Sequence, residues 1–183
     1  MLKLRLSRAA RRRGLDHETE TLQMKRCLII AAAALLAALT LAGCAVTDKA
    51  YGDKGFNITL PSNFKTYDAE GYDVCYDTKD CAVFALKEAF DQAEGFGDLS
   101  LREYTELVLE ANGLDTEITE TDRYMYFEFE KTVDDSSEPY EYLACCYRAE
   151  DAFWLVQFSC AKSDYDRYRP KMLEWADTVY FGE

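Results

Sequence analysis

The 183-residue chain has one histidine, His17, and three prolines. It has no G-x-G-x-x-G run, no phosphate-binding loop and no C-x-x-C pair. His17 lies ahead of the segment read below as an export signal, so the remainder of the chain has no imidazole. That excludes Ser-His-Asp and Cys-His catalysis, and it excludes His-ligated zinc. Basic residues are also scarce. Residues 44–183 hold 13 Lys and Arg against 31 Asp and Glu, a net of −18, whereas residues 1–43 hold 8 against 3, a net of +5. Phosphate binding needs clustered Lys and Arg, so nucleic acid is excluded as a partner, and electrostatic docking on anionic lipid is disfavoured. There is no internal repeat, no Pro/Ser-rich linker and no low-complexity tract. Apolar residues make up 49% of the chain, too many for disorder and enough for a core.

The first 44 residues read as an address. Met24-Lys25-Arg26 is a short basic start, Cys27 to Leu39 is rich in Ala, Leu and Ile, and Leu41-Ala42-Gly43-Cys44 follows. A basic start, an apolar run and a small-residue cleavage site together have the pattern of a secretory signal. The run is shorter than the roughly 20 residues a membrane-spanning helix needs, and no basic stop-transfer flank follows it. The alternative is an uncleaved anchor. Leu41-Ala42-Gly43-Cys44 resembles the lipobox of bacterial lipoproteins. That resemblance implies that Cys44 is acylated on its thiol by a palmitate-type chain and becomes the first residue of the mature protein. Several acyl chains on one residue hold a protein to a bilayer far better than one.

Residues 1–23 fit this pattern poorly. Arg11-Arg12-Arg13 is separated from the apolar run by Asp16-His17-Glu18-Thr19-Glu20, whereas a twin-arginine signal would abut it. The simpler reading is that translation starts at Met24. The expected organisation is therefore an extension over 1–23, a signal peptide over 24–43, a polar tether over 44–54 and one domain over 55–183.

Within that domain, Phe56 to Leu60 alternates and stops at Pro61, as a strand does. Tyr72–Tyr76 and Cys81–Leu86 flank a polar loop and predict a hairpin. Ser100 with Glu103 three residues on is a capping box, followed by Leu101, Tyr104, Val108 and Ala111 at helical spacing and by Asn112-Gly113 as a stop. Thr116–Glu120 is a weak strand. Tyr124–Lys131 alternates, with Met125, Phe127 and Phe129 on one face and Tyr124, Tyr126, Glu128 and Glu130 on the other. Tyr140–Arg148 and Ala152–Cys160 predict a second hairpin. Tyr165, Tyr168, Met172, Trp175 and Val179 recur helically, with Ser163 as the expected N-cap and a kink or late start at Pro170. The expected fold is α+β, an antiparallel sheet covered by helices.

Phe56-Asn57-Ile58-Thr59-Leu60-Pro61 with Phe64, the Leu99–Tyr104 helix start, the aromatic strands and the closing Pro170…Leu173…Trp175-Ala176…Val179 segment resemble PsbP-like domains, including small bacterial lipoproteins of the DcrB type. The resemblance spans roughly residues 55–182. It implies an α/β/α sandwich and a mostly non-enzymatic family, and it transfers no site residue.

After Cys44, five cysteines remain. Cys75 and Cys81 bracket a five-residue loop and are expected to be cross-strand neighbours, within reach of a disulfide in an exported protein. Cys145 and Cys146 point to opposite faces of one strand. If Ala149 pairs with Ala152, Cys145 lies opposite Val156 and Cys160 opposite Glu141. These three are then unpaired, small, buried residues rather than a thiolate metal site. Asp73, Asp77 and Asp80, and Asp134, Asp135 and Glu138, lack calcium-loop spacing and read as solvated loops.

All 13 Tyr, all 10 Phe and both Trp lie after Cys44. In the same register one hairpin face carries Leu143, Cys145, Tyr147, Trp154, Val156 and Phe158, which is core. The other carries Tyr142, Ala144, Cys146, Arg148, Phe153, Leu155 and Gln157. The expected contact residues are Tyr124, Tyr126, Tyr142 and Phe153; a covering helix would instead make them core. The expected function is that of a lipid-anchored binding or accessory domain on the outer side of a bacterial cytoplasmic membrane, or on a periplasm-facing membrane in a Gram-negative host. Its partner would be a membrane protein or the cell wall, and it needs no cofactor, metal or catalytic residue. The alternatives are a carboxylate-dependent hydrolase of wall or extracellular glycan and a structural partner of a membrane complex. The lipobox makes a direct prediction: Cys44→Ala should leave unprocessed precursor. Intact-mass analysis of the native protein should find a chain beginning at acylated Cys44; a mature chain beginning elsewhere contradicts it.

Overall fold

The computed structural model describes residues 46–132 and 138–182. Cys44 and residues 1–43 lie outside the described residues, as do Asp134 and Asp135. Among the described residues ten strands and two α-helices succeed one another: β1 (Asp48–Asp53), β2 (Phe56–Pro61), β3 (Lys65–Thr66), β4 (Val74–Asp77), β5 (Cys81–Ala89), α1 (Leu101–Ala111), β6 (Thr119–Glu120), β7 (Met125–Lys131), β8 (Tyr140–Arg148), β9 (Ala152–Ala161), α2 (Tyr165–Ala176) and β10 (Tyr180–Phe181). Seven strands make one sheet in the order β3-β4-β5-β9-β8-β7-β6, and three make a smaller one in the order β1-β2-β10. All pairings are antiparallel, so the fold is α+β.

The large sheet carries a buried cluster on each face because its strands alternate between two apolar sets. On the first face Val83, Cys145, Tyr147, Trp154, Val156 and Phe158 pack with Phe56, Ile58 and Leu60 of the small sheet and with Met172, Trp175 and Ala176 of α2. On the second face Phe127, Ala144, Cys146, Phe153 and Leu155 pack with Tyr104, Val108 and Leu109 of α1. The β8–β9 hairpin adopts the expected register, with Ala149 N–H donating to Ala152 O at 2.8 Å, Cys145 opposite Val156 and Glu141 opposite Cys160.

α1 starts and stops where its sequence dictates. Glu103 N–H donates to Ser100 Oγ at 3.2 Å and Ser100 N–H to Glu103 Oε2 at 2.8 Å, closing the capping box. Gly113 then takes φ 63°, a left-handed conformation that ends the helix. α2 begins after a 3-10 turn over Lys162–Asp164. Its N-cap is Asp164 rather than Ser163, without a side-chain cap bond, and the helix runs through Pro170. Pro170 is exposed, so its ring sits on the solvent side and displaces no core contact. Glu128 of β7 clamps α2 through Arg169 Nη2 at 2.7 Å, Arg169 Nε at 3.0 Å and Tyr165 Oη at 2.5 Å, all three donating.

Two expectations are corrected here. Part of the segment read as a tether is strand β1, which pairs with β2 along its whole length. Its polar sequence hides it: only Tyr51 turns inward, donating from its hydroxyl to Phe64 O at 3.0 Å. The connecting turn has positive φ at both Lys54 and Gly55, 51° and 82°, the two-residue geometry that suits strand twist. Cys75 and Cys81 are not cross-strand neighbours. The β4–β5 turn closes with Thr78 N–H donating to Cys81 O at 2.8 Å, which carries Cys75 three positions on to face Phe84.

Burial alone would raise the Glu128 carboxyl, but the hydrogen bonds from Arg169 and Tyr165 and the Arg169 charge outweigh it and hold it below its ordinary 4.5. A depressed carboxyl contributes stability that is present above the unfolded-state value and lost as pH falls through the folded one. Glu128→Gln should therefore cost about 1 kcal/mol at pH 7, a figure discounted for partial exposure. In urea unfolding the gap to wild type should close as pH drops below 4.5. A gap that stays constant down to pH ~3 contradicts the clamp.

Candidate functional site

α1 covers only the end of the second sheet face nearest the β8–β9 turn. There Tyr104 stacks on Phe153, with ring centroids 4.2 Å apart and planes 5° apart. Arg148 lies over Phe153 and Phe90, 5.0 and 4.6 Å from their ring centroids. Its guanidinium donates to Leu99 O and Gly97 O at 2.6 Å each, fixing the chain that leads into α1.

Beyond the helix the same face continues as a half-buried aromatic surface. Phe84 of β5 packs against Tyr72 and Tyr67, with centroids 4.9 and 6.2 Å away. Phe129 of β7 stacks on Tyr142 of β8 at 4.8 Å and 9°. Tyr72 Oη donates to Gln157 Oε1 at 3.3 Å, tying the loop before β4 to the centre of the sheet. Burial raises the Tyr72 and Tyr142 hydroxyls, then Cys75 adds to the first and Tyr72 and Tyr140 to the second. At neutral pH they act as neutral donors and acceptors.

Where this surface meets α1 there is a cleft of about 430 Å³. Leu86 and Leu155 floor it, Leu107 and Val108 form the helix wall, and Glu70 and Glu88 supply carboxylates. Leu107 is exposed at 45%. Tyr104 Oη donates to Glu88 Oε2 at 2.6 Å; burial, Cys146 and Glu88 keep that phenol protonated. The cleft therefore offers apolar contact, stacking and acceptors, and its acidic wall disfavours an anion. Among the described residues no group of three or more His, Cys, Asp or Glu is placed to hold a metal ion.

The four expected contact residues do not come together. Tyr124 is 3% exposed, its hydroxyl donating to Asp177 Oδ1 at 3.1 Å, and its ring packs on Tyr147 in the first core with Tyr126 beside it. Phe153 is fully buried under α1 in the second core. Tyr142 alone lies on the open surface. The cause is the β7–β8 register, in which Tyr126 faces Cys145 and Phe129 faces Tyr142. Tyr142 stacks instead on Phe129, which that register places opposite it; Phe84, with Tyr67 and Tyr72 against it, is brought to the same face by the β5–β9 register. Phe129 was legible as opposite in phase to Tyr126; Tyr67 carried no periodic signal.

No family model matches the chain, and no curated protein does. Among solved structures, the solution structure of cyanobacterial PsbP (CyanoP) from Synechocystis sp. PCC 6803 is similar at 15% identity. The match covers 75% of this chain and 94% of that one, with a TM-score of 0.49. The Saccharomyces cerevisiae Ran-binding protein Mog1p is similar at 8% identity over 75% of this chain and 96% of that one, TM-score 0.46. A Bacteroides thetaiotaomicron VPI-5482 protein is similar at 15% identity over 74% of this chain and 48% of that one, TM-score 0.48. These are likenesses of strand-and-helix layout and no more.

Proposed function

We propose that the chain is a lipid-anchored extracytoplasmic binding or accessory domain that takes an uncharged or basic segment of a membrane or wall partner into the cleft beside α1. The observation that carries this reading is the half of the second sheet face that α1 leaves open. Phe84 packs there with Tyr67 and with Tyr72, which holds Gln157, and Phe129 stacks on Tyr142, next to a cleft rimmed by exposed Leu107. A sheet half of this kind is commonly sealed by a helix; here apolar rings and hydrogen-bonding groups stay accessible, as in a recognition surface. The net of −18 over residues 44–183 favours a partner that is not itself acidic. The lipobox at Leu41–Cys44 supports the anchored, outward-facing placement.

A photo-crosslinking amino acid at position 107, in cells making the full chain, should yield a discrete crosslinked product. Tyr72→Ala with Phe84→Ser should reduce that product at least tenfold while leaving the protein folded. The same probe at exposed Tyr180, on the small sheet, should not yield it. Equal products from positions 107 and 180, or an unchanged product in the double variant, contradict a cleft-borne function.

A further inference from the structure

The described cysteines, Cys75, Cys81, Cys145, Cys146 and Cys160, are all buried free thiols. Three of them face residues that cannot form a disulfide: Cys75 opposes Phe84, Cys145 opposes Val156 and Tyr126, and Cys146 opposes Leu155 and Met125. The remaining two oppose each other, since β5 and β9 pair with Cys81 directly across from Cys160.

The hydrogen-bond pattern fixes what kind of pair this is. Cys81 turns its backbone toward its own hairpin, accepting from Thr78 N–H and donating to Thr78 Oγ1. On the β5–β9 side, Phe90 N–H donates to Asp151 O, which makes the even-numbered β5 residues the hydrogen-bonded positions. On the β8–β9 side, Ala149 N–H to Ala152 O and Lys162 N–H to Pro139 O give the odd-numbered β8 residues that role, so Cys160 directs its backbone to Glu141. Cys81 and Cys160 are therefore a non-hydrogen-bonded antiparallel pair. In such pairs the Cα atoms approach to about 4.5 Å and the side chains are closest. That lies within the range of about 4.4–6.8 Å over which two cysteines can be bridged. Directly opposed residues share a face, and both thiols lie in the first core.

We propose that Cys81 and Cys160 form a cross-strand disulfide tying the β4–β5 hairpin to the β8–β9 hairpin, made by exchange with a disulfide-bearing oxidant. The Cys81 thiolate attacks one sulfur of the oxidant's disulfide, giving a mixed disulfide and releasing one thiol. The Cys160 thiolate then attacks the Cys81 sulfur and releases the second. Two cysteine thiols lose two protons and two electrons, and the oxidant's disulfide becomes two thiols. Cys81 is the first to react because it borders a cavity of about 430 Å³ beside Phe64, Tyr168, Lys171 and Trp175, which Cys160 does not line. Burial raises the Cys81 thiol to about 12 and the Cys160 thiol to about 11, so exchange is slow, and the product, once formed, is shielded. The bridge spans residues 81–160 and encloses α1, a long loop whose closure constrains the unfolded chain strongly. It fits an exported protein.

Trypsin separates the candidates, because Cys75, Cys81, Cys145 with Cys146, and Cys160 fall in peptides 66–79, 80–87, 132–148 and 149–162. The native full chain is incubated with oxidised glutathione, free thiols are blocked with N-ethylmaleimide, and the digest is mapped by mass. Peptide 80–87 should be recovered joined to 149–162, with 66–79 and 132–148 alkylated. Oxidation should raise Tm by on the order of 10 °C in wild type and not at all in Cys160→Ser. Recovery of 80–87 and 149–162 as separate alkylated or glutathione-bearing peptides overturns the proposal, as does a link from 80–87 to 66–79. The register alone carries it, so it stands or falls independently of what the cleft binds.

Discussion

Strand alternation in β8 and β9 organises the molecule, because both faces of that hairpin are buried and each faces a different helix. Leu143, Cys145, Tyr147, Trp154, Val156 and Phe158 serve α2 and the small sheet, while Ala144, Cys146, Phe153 and Leu155 serve α1. A slip of one residue would exchange the two sets and destroy both cores together. The tight turn at Ala149–Ala152 prevents that slip, and β5 and β7 inherit their registers from β9 and β8. The cleft, the aromatic surface and the opposed cysteines are all consequences of this one phase.

The function proposed follows from where the burial stops. α1 is only 11 residues long and seals the sheet end that carries Phe153 and Cys146. The rest of that face is left to Tyr67, Tyr72, Phe84, Phe129 and Tyr142, which are half-buried and stabilise one another by ring contact. Polar groups enter at the boundary: Gln157 held by Tyr72, and Glu88 held by Tyr104. Gln157 sits on β9 between Val156 and Phe158, both core, which gives it a rigid base.

What the sequence made legible was local. Ser100 with Glu103 and the stop at Asn112-Gly113 bounded α1, and the short turn after Arg148 set the β8–β9 register and hence six core residues. What it hid depends on distant partners. β1 has a single inward residue, Tyr51, and β10 is two residues long, so neither shows alternation. The facing of Tyr124 and Tyr126 depended on how β7 meets β8 across residues 132–139, a connection too long to set a register by turn geometry. The Cys75–Cys81 pairing failed for a related reason: the Thr78 hydroxyl accepts from the Asp80 and Cys81 amides, making a four-residue turn that moves Cys75 along the ladder. Its true partner, Cys160, lies on a strand 79 positions away in sequence, which no local spacing announces.

The central claim is that one sheet face is fully covered and the other only half covered, with Tyr124 on the first and Tyr142 on the second. Hydroxyl-radical footprinting of the native chain, with each tyrosine followed by mass spectrometry, tests it directly. Tyr67, Tyr72 and Tyr142 should be oxidised in the native state. Tyr104, Tyr124 and Tyr147, at 1%, 3% and 3% exposure, should be protected until the chain unfolds. Oxidation of Tyr124 as fast as Tyr142, or protection of Tyr72 together with Tyr142, would contradict the assignment of the faces and remove the proposed recognition surface.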